Sequence, residues 1–293
     1  MRMKGRELNI MSIVLVVVVT LMAVLAGGCA SQKPAKQKPV IVIAAFGTSM
    51  EKGQANLNDF DKMVRARFPD HEVRWAFTAG FIIKKLKEAG VTTLFDSNTP
   101  IKSLDEVYED LRKEGKTNVV VQTAMVMPGG EMRQVLSYRT DGLNVKFGYP
   151  LLFWPENIQN VADALSPEFG GEDTVTILVA HGNEHHPEFN APFTQMNEYL
   201  QERYDNVFVA TIEGPPGPEE VFPLAQAVGA SKAKFVPLMM VEGDHITNDV
   251  MGDDPDSWKN MLGLPATNAT GMASNPAVME IFLKSIENLV SQF

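Results

Sequence analysis

One hydrophobic pattern occurs twice in this chain, and it limits the fold more than any other feature. "KPVIVIAAFG" (38–47) and "TVTILVAHG" (174–182) are continuous apolar, largely β-branched runs that stop on a glycine. A strand apolar on both faces must be covered on both, which marks the interior of a parallel sheet. The companions of each run follow in the same order. After the first come "EVRWAFT" (72–78), "NVVVQTAMVM" (118–127) and "KFGYPLLF" (146–153), with helical patterns around 80–90 and 103–114 between them. After the second come "NVFVATIEG" (206–214) and "AKFVPLMMVEGDH" (233–245). Gly182 lies 135 residues beyond Gly47, and the next strands keep nearly that spacing. Alternating strand and helix defines an α/β fold. The repeat makes it two half-size units, residues 40–160 and 161–293, joined around Pro155–Glu172.

The N-terminus is of another kind. Arg2, Lys4 and Arg6 precede an apolar run from Ile10 to Ala26 that closes on Ala26-Gly27-Gly28-Cys29. Charge, apolar stretch and small residues in that order read as a signal peptide over residues 1–28, with an uncleaved anchor helix as the alternative. The last four residues also match a bacterial lipobox, so Cys29 is expected to carry lipid and residues 29–39, rich in Pro and Lys, to act as a tether. The expected location is therefore periplasmic, with a membrane attachment only through the lipid. Cys29 is the sole cysteine, which excludes a disulfide framework and thiolate metal sites from the folded body. The chain carries a net charge of −10, and loss of Arg2, Lys4, Arg6 and Glu7 with the signal takes it to −12. Nucleic acid is not expected as a partner of so acidic a body.

Ligands of parallel sheets bind beyond the carboxyl ends of the strands. In the second unit three successive strands end on His181, Glu213 and His245, whereas the matching ends of the first carry Phe46, Thr78 and the stretch Met125–Met127. Two imidazoles and a carboxylate, with coordination positions left open, suit Co, Fe, Ni or Zn. "VAHGNEHH" holds two further histidines, but Gly182 and Pro187 oppose a helix there, so His185 and His186 read as loop residues. His71, in "PDHEV", reads as solvated. Nucleotide cofactors are not expected. "GPPGPEE" lacks the Lys-Ser/Thr of a phosphate loop, and there is neither a dinucleotide fingerprint nor a nucleophile elbow.

At these residues a resemblance appears. "VIVIAAFGTSMEKG", "VRWAFTAGFIIKKLKEAG", "YPLLFWPENIQNVADAL", "TILVAHGNEHHPEFNAPFTQMNEYL", "VFVATIEGPPGPEEV" and above all "GDHITNDVMGDDPDSWK" resemble the anaerobic sirohydrochlorin cobaltochelatases of the CbiK type. The similarity runs over about residues 39–290. It implies two flavodoxin-like halves with a cleft between them, and ATP-independent insertion of Co2+ into sirohydrochlorin, a cobalamin precursor. The family's metal-binding His, Glu and His fall on His181, Glu213 and His245; from the chemistry of metallation, His181 or Glu213 is expected to accept a pyrrole proton as nitrogen replaces it at the metal. Haem binding and homo-oligomers also belong to what the resemblance implies. Met125 stands where many relatives carry His, which leaves only a thioether for haem iron at that place.

A substrate rich in carboxylates needs local positive charge on an acidic protein. Arg133, Arg139 and the amides of Gly47, Thr48 and Ser49 at a helix start are the candidates, each weighed against an ordinary exposed helix face. Glu131 reads either as a metal-entry residue or as a charge at a helix N-terminus. Two other functional classes compete: a lipid-tethered carrier of a tetrapyrrole or metal ion that performs no turnover, and, more weakly, a metal-dependent hydrolase.

Overall fold

The computed structural model describes residues 37–293. The expected signal peptide and the Cys29 attachment point lie outside the described residues. Lys38–Phe293 form one compact unit. No helix among the described residues is long and apolar enough to cross a membrane.

The first half runs β1 (Val40–Ala45), α1 (Glu51–Arg67), β2 (Val73–Phe77), α2 (Gly80–Glu88), a small hairpin of β3 (Thr93–Leu94) and β4 (Thr99–Pro100), α3 (Leu104–Lys113), β5 (Asn118–Thr123), α4 (Gly130–Ser137), β6 (Asn144–Gly148) and α5 (Asn157–Leu165). The second half follows with β7 (Thr174–Gly182), α6 (Ala191–Gln201), β8 (Val207–Glu213), α7 (Pro218–Ala227), β9 (Lys232–Pro237), α8 (Trp258–Leu262), β10 (Ala266–Asn268) and α9 (Pro276–Val290). The sheets have the orders β2-β1-β5-β6 and β8-β7-β9-β10, every pair parallel. Read from the first strand of each half, the two orders are the same, as a duplicated unit requires. Every residue of β1 is buried, in keeping with its apolar sequence and its place between two neighbours.

The backbone bonding repeats as well. The Ala124 amide donates to the Ala44 carbonyl just as the Leu238 amide donates to Val179, at 2.7 Å in both cases. Beyond those points the strands stop sooner than the apolar runs suggest. The carbonyls of Met125 and Val126 accept from Leu151 and Leu152 in the loop after β6, and those of Met239 and Met240 accept from Met272 and Ala273. A loop thus takes over where a strand partner runs out, so β5 ends at Thr123 and β9 at Pro237. His71 is also less free than its surroundings in sequence suggest: it is half-buried, with Nδ1 2.9 Å from the Pro39 carbonyl.

A layer of helices lies between the sheets. α1, α5, α6 and α9 share one core that includes Phe60, Phe193, Met196 and Phe282, with the Phe60 and Phe282 rings 5.8 Å apart. Two outer cores pack α3 and α4 on the first sheet and α7 and α8 on the second. α9 closes the chain against β5, β6, α1 and α5, all in the first half. The sequence boundary at 160/161 therefore falls inside α5, and residues 161–293 include the helix that covers the first sheet. A period in strand sequence marks the repeat but carries no trace of which sheet a terminal helix will cover.

Candidate metal-insertion site

The end of β7 supplies the first donor. Val179 and Ala180 are buried, His181 points outward, and Gly182 is buried again. Gly182 is required there: its φ is +77°, and a Cβ would fall 2.1 Å from the Glu213 carbonyl and 2.8 Å from the Thr211 side chain. This close approach registers Gly182 beside Glu213 across β7 and β8. The turn that follows Glu213 is held from the side. Buried Asn190 donates through Nδ2 to the carbonyls of Glu213 (2.9 Å) and Pro215 (2.8 Å), and the Thr211 hydroxyl donates to Gly214 and Pro216.

His245 arrives differently from what its sequence position suggests. It lies eight residues past the end of β9, at the start of a π-helical turn, His245–Val250. Such turns are often found at functional sites. The chain nevertheless brings His245 to His181, with ring centroids 4.7 Å apart and planes at 86°. His181 Nδ1 is also 3.9 Å from Glu213 Oε2. The side chains of His181, Glu213 and His245 are 47%, 39% and 35% exposed, so they form an open lip and not a closed cage.

The hydrogen bonds choose the nitrogen that each histidine offers. His181 Nδ1 lies 2.9 Å from the Gly182 carbonyl and His245 Nδ1 lies 2.6 Å from an Asp249 carboxylate oxygen. Both partners only accept, so Nδ1 carries the proton in each ring and Nε2 keeps its lone pair for a metal. Among the described residues no three His, Cys, Asp or Glu side chains already stand close enough to hold an ion as a set.

The other expected site residues are distributed unevenly. Arg133 reaches the second half: its guanidinium lies over the Phe189 ring at 4.7 Å, joining α4 of the first half to the segment before α6 of the second. Arg139 does not. An eight-residue α4 carries the chain back to the amino edge before β6 begins, and there Arg139 pairs with Asp141 at 2.7 Å while its carbonyl accepts from Arg112. Met125 packs into the outer core with Met132 and Val135, so it offers neither an open substrate contact nor an exposed axial ligand for haem. Gly47, Thr48 and Ser49 precede the helix and do not form its start: α1 begins at Glu51, Gly47 has φ +92°, and the buried Thr48 hydroxyl accepts the Met50 amide at 3.1 Å. Glu131 is half-buried in the first turn of α4. His185 and His186 stay in the loop, against Glu184 at 3.6 Å and Glu188 at 3.2 Å. Asn190 and Asp249 are additions from the structure. Asn190 opens "NAP", a helix-start signal, yet its side chain bonds across to the turn after β8 and does not cap α6.

A cavity of about 650 Å3 lies elsewhere, between the end of β6, the start of α5 and α9, lined by Tyr149, Trp154, Asn160 and Lys284 among others. It contains none of His181, Glu213 and His245.

Parallel-sheet halves in duplicate, with histidine and carboxylate side chains at the carboxyl ends of one of them, make a two-half α/β protein with an open lip of potential metal donors. Two solved structures share this fold: SirB from Bacillus subtilis with Fe3+ (TM-score 0.57, 14% identity, covering 87% of this chain and 96% of that one) and CbiX, the terminal enzyme for biosynthesis of siroheme in denitrifying bacteria (TM-score 0.53, 15% identity, covering 85% and 98%). The model of the cobalt chelatase (CbiK) family matches residues 39–291, and the chain belongs to that family. Its relatives include sirohydrochlorin cobaltochelatase CbiKC of Nitratidesulfovibrio vulgaris, 30% identical over 80% of this chain and 85% of that protein. The sirohydrochlorin cobaltochelatase of Salmonella typhimurium is 27% identical over 87% and 97%.

Proposed function

We propose that this protein inserts Co2+ into sirohydrochlorin without ATP, using His181, Glu213 and His245 to deliver the ion. The observation that carries the proposal is the meeting of His181 with both His245 and Glu213 on one exposed lip. Insertion exchanges the ion's water and protein ligands for pyrrole nitrogens, and two N–H protons leave the macrocycle as the metal enters. The two Nε2 lone pairs hold the ion while macrocycle nitrogens replace its waters. Glu213, on leaving the metal, acts as the base that takes one pyrrole proton, and the second passes to solvent water at the open lip. No step consumes a phosphate bond. Imidazole and carboxylate also accept Fe2+, so iron is a competing substrate metal.

Purified protein mixed with sirohydrochlorin and Co2+ is expected to show repeated turnover in the absorption spectrum without nucleotide. Uptake of a single equivalent of tetrapyrrole with no further change would overturn catalysis in favour of a carrier. The charged and apolar order of residues 1–28 supports a proposal of export, with lipid attachment at Cys29. Fractionation of cells making the wild type and Cys29→Ser tests it. Wild-type protein in the soluble cytoplasmic fraction would overturn export, and equal membrane attachment of both forms would overturn lipidation.

A further inference from the structure

The first half has no copy of the metal-binding wall, and the place where one would stand is apolar. The matched bonds of Ala124 to Ala44 and Leu238 to Val179 put Phe46 at the position of His181. A glycine of positive φ follows each, at +92° for Gly47 and +77° for Gly182. Phe46 is 43% exposed and Phe81, on the first turn of α2, is 65% exposed. Their rings meet edge to face with centroids 5.8 Å apart. Neither belongs to the packed cores of the described residues. Two adjoining phenylalanines left in water are an apolar patch with something still to cover.

That patch shares an end of the molecule with the metal-binding lip. Lys52, in the first turn of α1 just beyond Phe46, pairs with Glu242 at 2.9 Å, and the Glu242 amide donates to Asn56 at 2.8 Å. Glu242 lies three residues before His245. Arg133 over Phe189 ties the two carboxyl edges together a second time.

We propose that Phe46 and Phe81 form the apolar bearing surface for the flat macrocycle of the tetrapyrrole. This rests on the reading of the protein as a tetrapyrrole chelatase and adds the residues that seat the ring. The chemistry favours this division between the halves. A large π-system gains most from aromatic edges and faces, and a wall with Phe46 in the place of His181 offers the ion no second imidazole there. Duplicated halves thus serve one ring from two sides, one with imidazoles and the other with phenyl rings.

The test separates ring binding from ion binding. Sirohydrochlorin without metal is titrated into wild type, Phe46→Ala, Phe81→Ala and the double variant, and Co2+ alone is titrated in parallel. The double variant is expected to lose tetrapyrrole affinity by about tenfold or more, the single variants by less. Co2+ affinity is expected to stay within twofold, and Phe46→Tyr to bind the ring as the wild type does. A double variant that melts like the wild type and binds sirohydrochlorin equally well would overturn the inference and leave the chelatase reading standing. A wild type that binds no tetrapyrrole would overturn both. Should the double variant fail to fold, Phe81→Ala, the more exposed of the two, decides by the same titration: unchanged tetrapyrrole affinity counts against the proposal.

Discussion

The imidazoles of His181 and His245 meet edge to face at 4.7 Å, although one ends a strand and the other opens a helical turn. With both Nδ1 atoms occupied, by Gly182 and Asp249, the ligands left to the metal are the two Nε2 atoms. His181→Ala and His245→Ala are therefore each expected to abolish turnover and to weaken Co2+ binding at least a hundredfold, while the tetrapyrrole still binds. Isothermal titration with Co2+ and a separate absorbance titration with sirohydrochlorin check this. Retention of Co2+ affinity in either variant would place the ion elsewhere.

Asp249 acts on His245 without being a ligand in this arrangement. Its carboxylate accepts the hydrogen bond from the Nδ1–H at 2.6 Å, four residues along the same turn. That bond fixes the tautomer and makes Nε2 a better donor. Asp249→Asn keeps the shape but removes the charge, and metal affinity or activity is expected to fall roughly 10–100-fold. The fold should survive, since Asp249 is exposed. An unchanged Co2+ isotherm would show that the bond does not tune the histidine.

Asn190 and Gly182 fix where Glu213 stands. Asn190→Ala leaves the Glu213 and Pro215 carbonyls without their donor and is expected to cost about 1–3 kcal/mol in urea denaturation. Asn190→Asp has the same outline but no N–H2, so it should lose as much; full stability in Asn190→Asp would show that shape and not donation matters. Gly182→Ala should be worse than either, because its methyl group would lie 2.1 Å from the Glu213 oxygen in a backbone already at positive φ. Accumulation of folded Gly182→Ala at wild-type levels would contradict that contact.

Much of this architecture was legible in sequence because strand burial has a sequence signature. The wholly apolar β1 and the largely apolar β7 announced central strands, and His181, following Ala180 and preceding Gly182, was readable as a residue at a strand end. His245 was readable as a donor but not as the start of a π-helical turn, since the apolar stretch through Met240 continues past the point where β9 loses its strand partner. Arg139 shows a different limit. Which edge of the sheet a loop residue reaches depends on the length of α4, and eight residues were enough to carry it to the wrong side for a substrate contact. Met125 looked available because "VQTAMVM" reads as strand end, whereas packing with Met132 and Val135 draws it inward. Asn190 gave no sign of its role, because a partner across the fold at Glu213 is not written in its neighbours, and Asp249 was hidden because the helical turn that sets it against His245 was not foreseen.

Stability toward acid should depend on a cluster at the amino edge of the first sheet, whereas His181 stands at the carboxyl edge of the second. Arg74 donates to Glu72 at 2.7 Å and to Glu114 at 2.5 Å, and Lys116 lies 2.5 Å from Glu72 and 2.6 Å from Glu114. The hydrogen bonds from Arg74 and Lys116 hold the Glu114 carboxyl at about 2, below its ordinary 4.5. For Glu72, burial pushes the other way, and the bonds from Lys116 and Arg74 outweigh it, so its pKa is lowered too. Carboxylates depressed in the folded state stabilise it at pH above their unfolded value, and that contribution drains away as pH falls from 4.5 toward 2. Both acids are partly exposed, so solvent screening keeps the total modest, roughly 1 kcal/mol. Arg74→Gln is accordingly expected to be less stable than wild type by about that amount at pH 7, with the gap closing near the acid end of the window and narrowing in high salt. Urea melts of both proteins at neutral pH and at the lowest pH where wild type still folds provide the comparison. A gap that stays constant between them would assign the loss to packing of the arginine stem, not to its charge.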